Sequence, residues 1–166
     1  MFEKSVEVLN RVIADELSAI HQYMYWHFHC DDQGFDLLAG LFKRIAVDEM
    51  MHIERVAERI LFLEGDIEMV PSASVKKVTD IGEMLETAAA MEKQNIQDYN
   101  QWALECAEAG DSGSRKMLED LVAEEEGHYG NYDDELDNLK RFGERYLALQ
   151  SMERSRSGGM GGGADA

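Results

Sequence analysis

The sequence predicts an all-α protein: a four-helix bundle with one long crossover between helices two and three, plus a short fifth helix at the C-terminal end. Three observations carry this. Proline occurs once, at Pro71, and the helix-breaking residues gather in a few stretches, "DDQGFD" at 31–36, "EGDIEMVPSASV" at 64–75, "EAGDSGS" at 108–114 and Gly143. Between these breaks the apolar residues keep a helical period, as in Phe42, Ile45, Val56, Ile60 and Leu63, and no segment alternates with the period of two that a half-buried strand needs. The connections run short, long, short, so the first two helices and the last two long ones each form an antiparallel hairpin, and the roughly 15 residues from Gly65 to Thr79 can cross the height of the bundle at about 3.3 Å each.

The elements follow in order. The first helix, at about 3–30, has an inward seam of Leu9, Ile13, Glu16, Ile20 and Tyr23. The second spans about 36–64 and the third about 80–108. The fourth, at about 114–141, has the seam Leu118, Leu121, Glu125, His128 and Tyr132. A short fifth helix covers about 143–153 and closes a single domain of about 153 residues; the Gly-rich end at 154–166 is expected to be disordered.

Composition limits the function. A chain of 166 residues suits one domain with a sizeable core. With 34 acidic against 16 basic residues the formal charge is −18, which repels nucleic acid and anionic membrane surfaces and draws in cations. No stretch reaches the roughly 18 apolar residues of a spanning helix, and the start, "MFEKSVEVLNRV", lacks a basic region followed by an apolar run. A cytoplasmic protein is the expectation. Cys30 and Cys106 form no CxxC pair, so neither a disulfide framework nor a thiolate metal site is indicated.

An internal repeat sharpens the picture. Shifted by 76 positions, "ADELSAIHQYMYWHFHC" (14–30) falls on "AMEKQNIQDYNQWALEC" (90–106), and Ala14, Glu16, Ile20, Tyr23, Trp26 and Cys30 coincide with Ala90, Glu92, Ile96, Tyr99, Trp102 and Cys106. The same shift places Glu49 and His52 on Glu125 and His128, so helices two and four each carry Glu-x-x-His, in "EMMH" and "EEGH". Glu49 follows Glu16 by 33 residues, as Glu125 follows Glu92, with a loop midway in each case. Residues equidistant from the turn of an antiparallel hairpin sit at one height, so each hairpin sets one Glu opposite one Glu-x-x-His.

Four carboxylates turned into one core would each cost several kcal/mol by desolvation. Two divalent ions cancel the four charges, and two imidazoles complete an oxygen-rich ligand set. Carboxylate-dominated sites with one imidazole per ion disfavour structural zinc. A Glu from each of two helices with a Glu-x-x-His from each of the other two is the arrangement of di-iron and di-manganese bundles. Glu49 and Glu125 are the expected bridges, Glu16 and Glu92 the terminal ligands, with His52 and His128 one to each iron. Adjacent ferrous ions together give two electrons to peroxide or dioxygen.

A single Glu-x-x-His would mean only a solvated glutamate near a surface histidine; two copies on core seams are a different matter. Trp26 and Trp102 read as core aromatics. Tyr23 and Tyr99, each two turns from a glutamate on its own helix, are candidates for a hydrogen bond to a ligand or a redox role, and Tyr23 is counted with the catalytic set. His21, His27 and His29 have no partner at ligand spacing and are assigned surface or packing roles.

The order "ADELSAIHQY", "DEMMHIERVAERILFLEG", a glutamate in the third helix and then "EEEGH" resembles bacterioferritin over about residues 5–150. The second Glu-x-x-His separates the chain from animal ferritins, and the absence of a CxxC module separates it from a complete rubrerythrin. The resemblance implies a ferritin-like fold, a hollow shell of twenty-four subunits built from dimers, ferroxidase activity at an iron pair using O2 or H2O2, and storage of ferric mineral. It also implies iron ions as cargo and an electron-donor ferredoxin as the partner for iron release. In bacterioferritins a methionine in the motif "DEM" binds a b-type haem between two subunits, and it matches Met50. Position 50 lies about 100° round the helix from Glu49 and about 200° from His52, so it points out of the bundle. One departure is Arg44, which stands where some bacterioferritins place an inner-surface histidine four residues ahead of the aspartate, here Asp48.

Two other classes share parts of this pattern. A di-iron oxidase or peroxide scavenger would keep two irons as a cofactor and store none. A purely structural bundle would bind no metal and would bear the full charge cost of its core.

Overall fold

A computed structural model describes residues 1–159, with side chains described through Met152. Five helices follow in order: α1 Glu3–Asp32, α2 Asp36–Phe62, α3 Ile81–Glu108, α4 Ser112–Phe142 and α5 Glu144–Gly159. Among the described residues there is no strand. The expected architecture is therefore present. One boundary moves: α5 continues to Gly159 instead of ending near 153, because "ERSR" after Met152 contains no breaker and the glycines begin only at Gly158. Residues 160–166, the remainder of the Gly-rich end, lie outside the described residues.

The hairpin turns repeat with the sequence. Gly34 (φ 85°) and Gly110 (φ 78°) sit 76 positions apart in the left-handed region that closes a helix. After each, the next amide bonds back to the helix, Phe35 N to Cys30 O at 2.8 Å and Asp111 N to Cys106 O at 2.9 Å. The N-termini differ. Asp80 and Asp111 cap α3 and α4 by accepting from Glu83 N and Ser114 N. Phe35 gives α2 no side-chain cap, and Gln150 of α5 supplies one, accepting from Leu38 N at 3.0 Å.

The crossover runs up one side of α1. Asn10 bonds to Asp66 O and Glu68 N, Ser18 to Ala73 N, Gln22 to Lys76 through both amide atoms, and Trp26 Nε1 donates to Val78 O. Successive contacts climb α1 from its start to its end, so α3 begins beside the α1 C-terminus and descends. Two apolar clusters result. One gathers Tyr23, Trp26, Phe42, Ile45, Leu85 and Tyr132; the other gathers Leu9, Ile13, Val56, Ile60, Tyr99 and Leu121. On every long helix one glutamate falls between residues of the first cluster and residues of the second, so a polar layer crosses the middle of the bundle.

Candidate metal centre

The layer holds the six residues that the repeat singled out. Glu16, Glu49, Glu92 and Glu125 are fully buried, His52 is 1% exposed and His128 6%. They form two overlapping groups, Glu16, Glu49, His52 and Glu125 in one and Glu49, Glu92, Glu125 and His128 in the other, each with donor atoms within 4.8 Å of one another. Glu49 and Glu125 belong to both. His52 Nδ1 lies 2.9 Å from Glu49 Oε2, 3.1 Å from Glu125 Oε1 and 3.3 Å from Glu16 Oε1. His128 Nδ1 lies 3.1 Å from Glu49 Oε1 and 3.3 Å from Glu125 Oε2. The two imidazoles face each other with centroids 5.8 Å apart.

The protein alone cannot satisfy this layer. Glu16 Oε2, Glu49 Oε2, Glu92 Oε2 and Glu125 Oε1 are buried without a hydrogen-bond partner among the described residues, one oxygen on each glutamate. A single Nδ1 proton on His52 cannot serve three carboxylates at once, and buried acceptors left unpaired are costly. Protons therefore stand in for cations. Burial, then the charges of Glu49 and Glu125, hold Glu16 and Glu92 well above the usual carboxylate range. Burial opposes charge on His128, but its bonds to Glu125 and Glu49 outweigh this and push it up to about 10. The same balance, through Glu125, Glu16 and Glu49, raises His52 still further. Burial also acts against the Glu125 anion, yet His128 and His52 hold that carboxyl well below its ordinary value. Four converging carboxylate oxygens without a hydrogen-bond partner among the described residues, beside two imidazole nitrogens, fit a pair of hard divalent cations in place of those protons.

Around this set lies a ring of supports. Tyr23 OH donates a short hydrogen bond to Glu92 Oε1, and Tyr99 OH donates to Glu16 Oε1 at 2.8 Å. Each tyrosine thus holds the glutamate of the other hairpin, not the one on its own helix. His52 Nε2 lies 2.7 Å from Glu124 Oε2, whose Oε1 accepts from Arg55 at 2.7 Å. His128 Nε2 lies 3.3 Å from Asp48 Oδ2. Glu124 was not singled out in the sequence and Asp48 was noted only as the aspartate that follows Arg44, although the shift of 76 that pairs the ligands also pairs Asp48 with Glu124. Tyr132 was noted only as a seam residue. Its ring lies 5.5 Å from that of Tyr23, and its hydroxyl is buried without a partner among the described residues.

The remaining residues fall elsewhere. His21 is exposed, His27 Nδ1 lies 2.7 Å from Ala39 O, and the His29 ring packs on Tyr25, so none joins the centre. Trp26 is fully buried, but Trp102 is only half-buried, with Arg11 over its ring at 5.4 Å. Trp102 therefore packs at the edge of the second apolar cluster, stacked on Tyr99 at 5.5 Å, and is less covered than Trp26, which the crossover bonds through Val78 O. Met50 is 52% exposed on α2.

Comparison with known proteins agrees with this geometry. The model of the ferritin-like domain family matches residues 6–142. A bacterioferritin of Desulfovibrio desulfuricans is 36% identical over 155 residues, which span 93% of this chain and 87% of that protein. The chain belongs to the bacterioferritin family. A second bacterioferritin, from Rhodobacter capsulatus, is 32% identical over 147 residues, covering 88% of this chain and 91% of its own. The X-ray structure of the D. desulfuricans bacterioferritin, which shows the diiron site in different catalytic states, superposes with a TM-score of 0.89 at 36% identity, covering 90% of this chain and 88% of that one.

Proposed function

We propose that this bacterioferritin is an iron-storing ferroxidase whose substrate is Fe(II) and whose working centre is the six-residue layer. The observation that carries the reading is the set of four buried, unpartnered carboxylate oxygens in two ligand groups that share Glu49 and Glu125. Glu49 and Glu125, common to both groups, would serve both ions, Glu16 and Glu92 would hold one each, and His52 and His128 would each supply an Nδ1 donor. Two ferrous ions give one electron each to dioxygen, which takes up two protons and leaves as hydrogen peroxide; with peroxide as oxidant the same two electrons and two protons yield two waters. The chain's own part is to hold the pair together, to exchange its stand-in protons for cations, and to fix Glu16 and Glu92 through Tyr99 and Tyr23. The formal charge of −18 raises the local concentration of cations.

Met50 is the haem ligand in this reading. Its thioether is exposed beside Val47 and Met51, which are 45% and 46% exposed, so one patch of α2 offers a soft iron ligand within an apolar surface. A b-type haem held between two subunits would take one Met50 from each. Met50→Leu is expected to abolish the haem absorption band while Fe(II) oxidation stays measurable; a variant that retains haem would overturn the assignment. With family membership in support, we propose further a cytoplasmic shell of twenty-four copies built from dimers, with a ferredoxin as electron donor for iron release. None of the described helices is long and apolar enough to cross a membrane.

The deciding experiment is an anaerobic titration of metal-free protein with Fe(II), followed by oxidant, counting the ferric ions per chain that remain soluble with the protein. Uptake far beyond two, lost in Glu49→Gln, supports storage; saturation at two would mean a di-iron oxidase or peroxidase that keeps its irons.

A further inference from the structure

The two histidines receive unequal support from outside the ligand set. Glu124 uses both oxygens, Oε2 toward His52 Nε2 and Oε1 toward Arg55, each at 2.7 Å. Without the guanidinium this carboxylate, 44% exposed, would be free to turn into solvent. Held by it, the carboxylate accepts from Nε2, and with a cation in place of the Nδ1 proton the Nδ1 lone pair is aimed into the group of Glu16, Glu49 and Glu125. On the other half the acid is Asp48, one carbon shorter, 49% exposed and 3.3 Å from His128 Nε2. The position 76 residues after Arg55 is Asn131, which carries no charge. Arg44, one turn before Asp48, makes no ion pair with it among the described residues, nor does any other arginine or lysine.

We propose that Arg55 is a positioning residue that, through Glu124, makes the His52 position the tighter of the two metal sites and leaves the His128 position as the one that exchanges ions. The inference rests on the ferroxidase reading and adds an order of occupancy to it. Carboxylates that orient a ligating histidine are typically worth 10–100-fold in metal affinity, so one clamped and one loose partner separate the two sites by about that factor. Arg55 is 37% exposed and lies outside both ligand groups, so its replacement leaves the inner donors in place.

Cobalt(II) titration of the metal-free assembled protein, followed by calorimetry and by the visible bands of the bound ion, tests this without any oxidation. Wild-type protein is expected to bind two ions per chain in two steps, the first at least about tenfold tighter. Arg55→Gln should weaken the first step by about tenfold or more and leave the second unchanged, with Arg55→Lys restoring part of the difference. Asn131→Arg, which offers Asp48 the clamp it lacks, should tighten the second step and narrow the gap. Equal steps in the wild type, or an Arg55→Gln variant that weakens both steps alike or neither, would overturn the proposal. A wild-type protein that binds no cobalt in the bundle would instead overturn the ferroxidase reading beneath it.

Discussion

The α1–α2 hairpin and the α3–α4 hairpin carry the same inner ligands and differ in much of what surrounds them. Glutamate, Glu-x-x-His, tyrosine and turn glycine coincide under one shift of 76, but Arg55 faces Asn131 across that shift, Met50 faces Glu126, Val56 faces Tyr132, and Phe35 faces Asp111. The halves agree where charge must be balanced at the midplane and diverge where each meets its own neighbours: the crossover on α1, α5 on α2, solvent on α3. The difference teaches that a two-fold donor set does not make two equivalent metal positions, because affinity also depends on what orients the donors.

The largest expected effects break the symmetry at its centre. Glu49→Gln and Glu125→Gln each remove a carboxylate common to both groups, and each should lower the initial rate of Fe(II) oxidation by more than about 100-fold, beyond what loss of an outer partner does. Stopped-flow absorbance of ferric formation checks this, and a strong effect from only one of the two would show that the shared role is not shared. Next in size is the response of the metal-free protein to pH. The folded value of His128 is raised from 6.5 to about 10, so its contribution is fully present below 6.5 and is lost as pH rises through about 10. Thermal melting of metal-free protein should therefore fall across that window, and His128→Gln should flatten the decline.

Smaller effects sharpen the comparison between halves. Tyr23→Phe and Tyr99→Phe each free the glutamate of the opposite hairpin and should each weaken metal binding about tenfold, Tyr99→Phe in the His52 step and Tyr23→Phe in the His128 step, read by the same cobalt titration. Smallest are the helix caps. Asp111→Ala removes the α4 cap and the partner of Arg59 at 2.6 Å, at a cost of about 1–2 kcal/mol. Gln150→Ala leaves Leu38 N without its acceptor and costs about 1 kcal/mol by chemical denaturation.

Much of this molecule is legible in the residues. Breakers and helical periodicity place the four long helices, the long second connection gives the crossover, and the shift of 76 finds six residues that the fold brings into one layer. What stays hidden depends on packing between helices. Tyr99 lies two turns from Glu92 in sequence, yet its hydroxyl reaches Glu16, because helical spacing sets the height of a side chain and not the helix it faces. Of the three glutamates in "EEEGH" only Glu125 lies on the inward seam; Glu124, one position earlier and about 100° away, reads as a solvated acid until α2 is seen to bring His52 Nε2 and Arg55 against it. Trp102 reads as the twin of Trp26 because the repeat is blind to the crossover, which bonds only one of them.

Anomalous diffraction at the iron edge, from crystals of metal-free protein soaked in Fe(II) without oxygen, addresses the midplane layer directly. Two peaks per chain are expected, one ringed by Glu16, Glu49, His52 and Glu125 and the other by Glu49, Glu92, Glu125 and His128, with the first filling at lower iron concentration. Iron found only on the outer acids Asp48 and Glu124, with none among the four buried glutamates, would contradict the assignment of this layer as the ferroxidase centre.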